Sequence, residues 1–168
     1  TIKAPLLLNM KFTLKDFCSQ IHRLSALSKP FSINLKVQKL GNFIALMMSP
    51  NEQKMQNLAS QLVENLDQFR APLHQKEIDK RRMSNLTTSE DKNLLQWGYP
   101  YVFEDFRFHM TLTEKIPCRS DQEFMVNAAS SHFSEDLDRA TKVNSISLFF
   151  QESSKADFLQ IQQFALEE

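Results

Sequence analysis

The sequence predicts an α+β fold made of two lobes with one plan, and three observations predict it. Apolar and polar residues alternate strictly through Phe31–Val37 and Asp105–Thr113, the period of a strand with one buried face. Between such stretches lie segments whose apolar residues recur every three or four positions behind capping signals, the mark of amphipathic helices. The order also repeats: Thr1-Ile2-Lys3 and Thr111-Leu112-Thr113 are each followed by a helix and a hairpin, about 30 residues on. Each strand–helix–hairpin unit is expected to form an antiparallel sheet with helices on the outside, the two sheets facing a central groove.

Taken in order, Thr1-Ile2-Lys3-Ala4-Pro5-Leu6 reads as a strand end entered from upstream. The chain opens on Thr1 without a methionine, so a preceding segment is expected. Thr13 with Asp16 forms a capping box, and Leu14, Phe17, Cys18, Ile21 and Leu24 make the stripe of the first helix, leaving His22 and Arg23 towards solvent. Phe31–Val37 and Phe43–Met48 form a hairpin around Gly41-Asn42, with glycine at the first central turn position. Ser49-Pro50-Asn51-Glu52 is a helix start, and the stripe Met55, Leu58, Ala59, Leu62, Val63, Leu66 runs on to Phe69. Residues 74–96 are charged and read as a helical connector, with a Glu77–Arg81 ion pair and a Thr87–Glu90 capping box. Lys80-Arg81-Arg82 reads as a solvated face. Beyond the Asp105–Thr113 strand, Ser120 with Glu123 caps a helix striped by Phe124, Met125, Ala128, Ala129 and Phe133, with His132 packed at its rim. Asn144–Gln151 and Phe158–Leu166 form the last hairpin. Residues 1–168 are thus one two-lobed domain: 1–73 the first lobe, 74–104 the connector, 105–168 the second lobe.

Composition narrows the function. Basic and acidic residues number 20 each, so no net field draws the chain to nucleic acid or membrane, and extended nucleic acid would want a continuous basic stripe that is missing. No apolar run has the length to cross a bilayer. The two cysteines, Cys18 and Cys118, are far apart, which fits a reducing cytoplasmic setting. The four histidines form no metal-ligand spacing, so neither a metal nor another cofactor is expected. Gly41 and Gly98 are the only glycines, which excludes a P-loop and a dinucleotide fingerprint.

What remains is the Asp105–Thr113 strand. Alternation sends Phe106, Phe108, Met110 and Leu112 to the core, inside a sheet, and places Arg107, His109, Thr111 and Thr113 on the other face within about 20 Å. An arginine, an imidazole and two hydroxyls in a row suit anion binding and proton transfer. By the repeat, a partner of His109 should stand two residues before Thr1.

His109-Met110-Thr111-Leu112 resembles the second His-x-Thr motif of the two-histidine phosphoesterase superfamily, and Thr1-Ile2 resembles the tail of the first, its histidine lying upstream. Thr1-Ile2-Lys3-Ala4-Pro5-Leu6, Phe69-Arg70-Ala71-Pro72-Leu73, Trp97-Gly98-Tyr99-Pro100-Tyr101-Val102 and Phe106-Arg107-Phe108-His109 are similar to the branch often encoded beside phosphonate-utilisation genes. The resemblance implies metal-free opening of a cyclic phosphate, or hydrolysis of a related phosphate ester, on a small phosphorylated substrate. It makes His109, Thr111 and Thr1 the catalytic residues, one imidazole acting as base while the other donates to the leaving oxygen. Lys3 and Arg107, each sharing a face with its threonine, are the candidate phosphate cations. Arg70 and Tyr101 either line the groove or serve structure. The alternative is a nucleotide- or RNA-end-binding module with the same groove and no chemistry.

Overall fold

The structure is a computed structural model that describes residues 1–48, 53–153 and 155–167. The elements are α1 (Leu14–Ala26), β1 (Phe31–Ile33), β2 (Leu35–Leu40), β3 (Phe43–Met48), α2 (Gln53–Leu66), α3 (Gln75–Arg82), α4 (Thr88–Trp97), β4 (His109–Thr111), α5 (Arg119–His132), α6 (Ser134–Leu137), β5 (Thr141–Val143), β6 (Ser145–Phe150) and β7 (Leu159–Ala165). Single 3-10 turns at Asp67–Phe69 and Phe103–Asp105 follow α2 and precede β4. The fold is mixed α/β, and its described strands form three antiparallel sheets: β1-β5, β2-β3-β4 and β6-β7.

Local chemistry explains most boundaries. The Thr13 hydroxyl accepts from Asp16 N–H at 3.2 Å and the Asp16 carboxylate accepts from Thr13 N–H at 2.8 Å, closing the expected capping box of α1. Thr87 and Glu90 do the same for α4, at 3.2 and 2.7 Å. Gly41, at φ 59°, turns β2 into β3, and Gly98, at φ 76°, caps α4. Phe17, Ile21 and Leu24 of α1 meet Met55, Leu58 and Leu62 of α2, and together they pack on Ile33, Leu35, Ile146 and Phe164. The expected start of α2 at Ser49–Glu52 lies outside the described residues.

Five expectations need correction. Thr1–Leu6 forms no strand: the first backbone pairing of this segment comes later, where Leu8 bridges Arg70 and Asn9 N–H donates to Phe69 O at 2.8 Å. The Phe31–Val37 strand breaks at Asn34; β1 pairs with β5 while β2 pairs with β3, so one run of alternation serves two sheets. The long strand of residues 105–113 shrinks to His109–Thr111 and lies at a sheet edge, bonded to β3 alone among the described strands. Its lead-in is held in a 3-10 turn by α4, where Asn93 Nδ2 and Ser89 Oγ each donate to the Asp105 carboxylate at 3.1 Å. The Glu77 carboxylate turns back to accept from His74 N–H at 3.1 Å, while Arg81 lies 4.9 Å over the Tyr99 ring, so their expected ion pair gives way to a cap and a cation–π contact. Helix α5 starts at Arg119 behind Cys118, and Glu123 pairs with Arg119 at 3.1 Å and Lys39 at 3.5 Å instead of closing a box with Ser120.

The Lys39–Glu123 contact decides which face of the β2-β3-β4 sheet is covered. Direct partners in an antiparallel pair share a face. Lys39 therefore stands with Val37, Ile44 and Leu46 on the side against α5 and the core. The opposite face carries Lys36 and Gln38 from β2, Ala45 and Met47 from β3, and His109 and Thr111 from β4.

Candidate functional site

His109 and Thr111 are both exposed, two residues apart on one strand, so their side chains leave the sheet on the same side. The position of β4 is set from both ends. Before it, the Asp105 carboxylate is tied to α4. After it, Leu112 N–H donates to Ile44 O at 2.8 Å and the Thr113 hydroxyl accepts from Ile44 N–H at 3.1 Å. Thr113 is therefore a ladder residue that extends the pairing past the strand, its hydroxyl oxygen accepting from the backbone. Phe106 and Phe108 pack, half-buried, against the core as expected, whereas Met110 is 40% exposed because β4 has no outer neighbour among the described strands.

The imidazole has a fixed orientation. His109 Nδ1 lies 2.8 Å from the carbonyl oxygen of Arg107. A carbonyl oxygen can only accept, so the proton of the neutral ring sits on Nδ1 and Nε2 presents its lone pair outward. That is the geometry of a general base, and once protonated the same Nε2 donates. Thr111, one step along the face, offers a hydroxyl that can donate to an anionic oxygen. The Arg107 side chain is exposed and has no ion pair or hydrogen bond among the described residues.

Lys3, Arg70 and the Gly98 turn meet elsewhere. Arg70 donates to both oxygens of Asp67, at 2.8 and 3.1 Å, and to Gln96 O at 3.2 Å. A Cβ on Gly98 would stand 2.7 Å from the Arg70 Cδ, so the turn admits the guanidinium only because residue 98 is glycine. Lys3 is half-buried beside this pair. Burial pushes its ammonium below the usual lysine value, Asp67 pulls it back up, and Arg70 adds to the lowering. Three of the four sequence words that resemble the phosphonate-associated branch thus converge on a latch joining the chain start, the end of α2 and the end of α4. Tyr101 lies beyond, 38% exposed and edge-on to Tyr99 at 5.6 Å. Burial, then Glu90 and Tyr99, raise its phenol above the usual value against Arg81. Thr1 is exposed and makes no strand pairing.

Sequence reasoning passed over Lys36 and Gln38. Alternation in Leu35–Leu40 already put them on the polar side, but only the register β2-β3-β4 sets Lys36 in line with Met47 and His109, and Gln38 in line with Ala45 and Thr111. Both are exposed. Among the described residues, no three His, Cys, Asp or Glu side chains gather as metal ligands would, and no helix is long and apolar enough to cross a membrane.

Fold and site together define a mixed α/β protein whose antiparallel sheet presents an oriented imidazole and a hydroxyl on the face opposite its helix. The chain belongs to the family of proteins of unknown function DUF1045, which it matches over residues 1–159. It is 34% identical over 136 residues to a ribose 1,5-bisphosphate phosphokinase PhnN of Janthinobacterium sp. (strain Marseille), covering 79% of this chain and 30% of that protein. It is 27% identical over 158 residues to a protein of the same name in Laribacter hongkongensis (strain HLHK9), covering 94% and 36%. The chain therefore spans about a third of the length of these curated relatives.

Proposed function

We propose that this chain is a metal-independent phosphoesterase unit that opens a cyclic phosphodiester or hydrolyses a related small phosphate ester, including esters derived from phosphonates. The observation that carries the reading is the His109 ring, exposed and held through Nδ1 by the Arg107 carbonyl, with Thr111 beside it. His109 Nε2 takes a proton from water or returns one to the leaving oxygen, Thr111 donates to a non-bridging oxygen, and Arg107 offsets the charge that builds there. Lys3 and Arg70 serve the latch. The relatives are named for a kinase acting on a ribose bisphosphate, which supports a small phosphorylated substrate for this unit. Kinase chemistry itself fits the chain poorly, because its two glycines make no phosphate-cradling loop.

The reading includes the two-lobe duplication and a second histidine two residues before Thr1. Its support is a regular offset: Thr1 and Thr111, Asn34 and Asn144, and the directly paired Ser32 and Lys142 each stand 110 residues apart. An antiparallel pair in which equivalent positions face each other is what two related halves make across a two-fold axis. In the full-length protein, His109→Asn should lower turnover of a responsive cyclic phosphate by about 10²- to 10⁴-fold and Thr111→Val by about tenfold. An unchanged rate in His109→Asn sinks the proposal. Binding without turnover across a panel of cyclic phosphates would make the chain a nucleotide- or RNA-end-binding module instead.

A further inference from the structure

We infer that Lys36 anchors a second anionic group on the substrate of the His109 site, so that the substrate class is a small ester carrying two separated negative groups. This rests on His109 and Thr111 receiving the reacting phosphate, as proposed above. Lys36 pairs with Met47 and Met47 with His109, so the three residues form one row across the sheet. At 4.7–4.9 Å per strand spacing, the Lys36 and His109 backbones stand about 10 Å apart. With both side chains rising roughly perpendicular to the sheet, that spacing sets the ammonium apart from the imidazole. It is well placed for a charge at the other end of a molecule the size of a phosphorylated pentose or hexose.

The neighbouring row adds a polar group on the same face. In the parallel row, Ala45 stands between Gln38 and Thr111 and is fully buried, although Lys36, Gln38, His109 and Thr111 around it are all exposed. Its methyl is closed off by its neighbours, so the exposed groups of this row are Gln38 on one side and Thr111 on the other. Gln38 offers an amide that can donate and accept, suited to the hydroxyls of a polar linker between the two anionic ends. Lys39, the next lysine along, lies on the other face and is paired with Glu123, so Lys36 is the lysine of β2 that serves this side.

The test uses the full-length protein and two probes, fructose 6-phosphate and fructose 1,6-bisphosphate, with binding followed through the His109 ring signals by NMR. The bisphosphate should bind about tenfold tighter than the monophosphate. Lys36→Met should erase that advantage and leave the monophosphate affinity unchanged, and Lys36→Arg should restore it. Because Lys36 is exposed, neither change threatens the fold. An advantage that survives in Lys36→Met overturns the role of Lys36 while leaving His109 in place. A His109 ring that responds to neither probe overturns the site reading and this inference together.

Discussion

At the scale of single residues, glycine and histidine carry the clearest consequences. Gly98 combines a left-handed backbone at φ 76° with a neighbour, Arg70, that occupies the space a methyl would need. Gly98→Ala should therefore cost about 1–3 kcal/mol in chemical denaturation, since it both strains the backbone and pushes the guanidinium off Asp67. A loss below a few tenths would mean that Arg70 swings aside freely. The word Trp97-Gly98-Tyr99 was conspicuous in the sequence, but the reason for its glycine was not, because the contact it admits comes from a residue 28 positions away. His109 is the reverse case. Alternation alone placed it opposite the phenylalanines, and the structure adds the carbonyl that orients its ring.

At the scale of elements, β4 shows how little ladder holds a candidate site. Three residue pairs join it to β3, then one backbone bond from Leu112 N–H to Ile44 O, and beyond that a side chain: the Thr113 hydroxyl accepting from Ile44 N–H. Thr113→Val keeps the shape and removes that acceptor. It should cost about 1–2 kcal/mol and speed hydrogen exchange at the Ile44 amide, while Ile33 exchange changes only with global stability. Equal protection of Ile44 in both proteins would show that another group accepts from it. Helices were easier to foresee than strands here. The α1 and α4 caps are local hydrogen bonds between residues three apart, which made them legible here, although the same spacing at Ser120 and Glu123 closed no box. The strand limits depend on partners: Asn34 divides a run of alternation that looked continuous, because its two ends bond to different strands.

At the scale of the molecule, the β1–β5 pair joins residues from opposite halves of the chain, and Ile33 within it is 1% exposed. Ile33→Ala should cost about 2–4 kcal/mol, with far-ultraviolet dichroism and Trp97 fluorescence shifting together in one transition. Two separated transitions would show that the connector and the sheets unfold independently. Periodicity and capping signals were enough to establish helices, hairpins and the outward direction of His109, because each depends on residues close in sequence. The neighbours of β4, the row Lys36–Met47–His109 and the latch of Lys3, Arg70 and Gly98 were decided by tertiary structure alone. Alternation states which side of a strand a residue takes, and only strand pairing, a contact between distant segments, states what stands beside it.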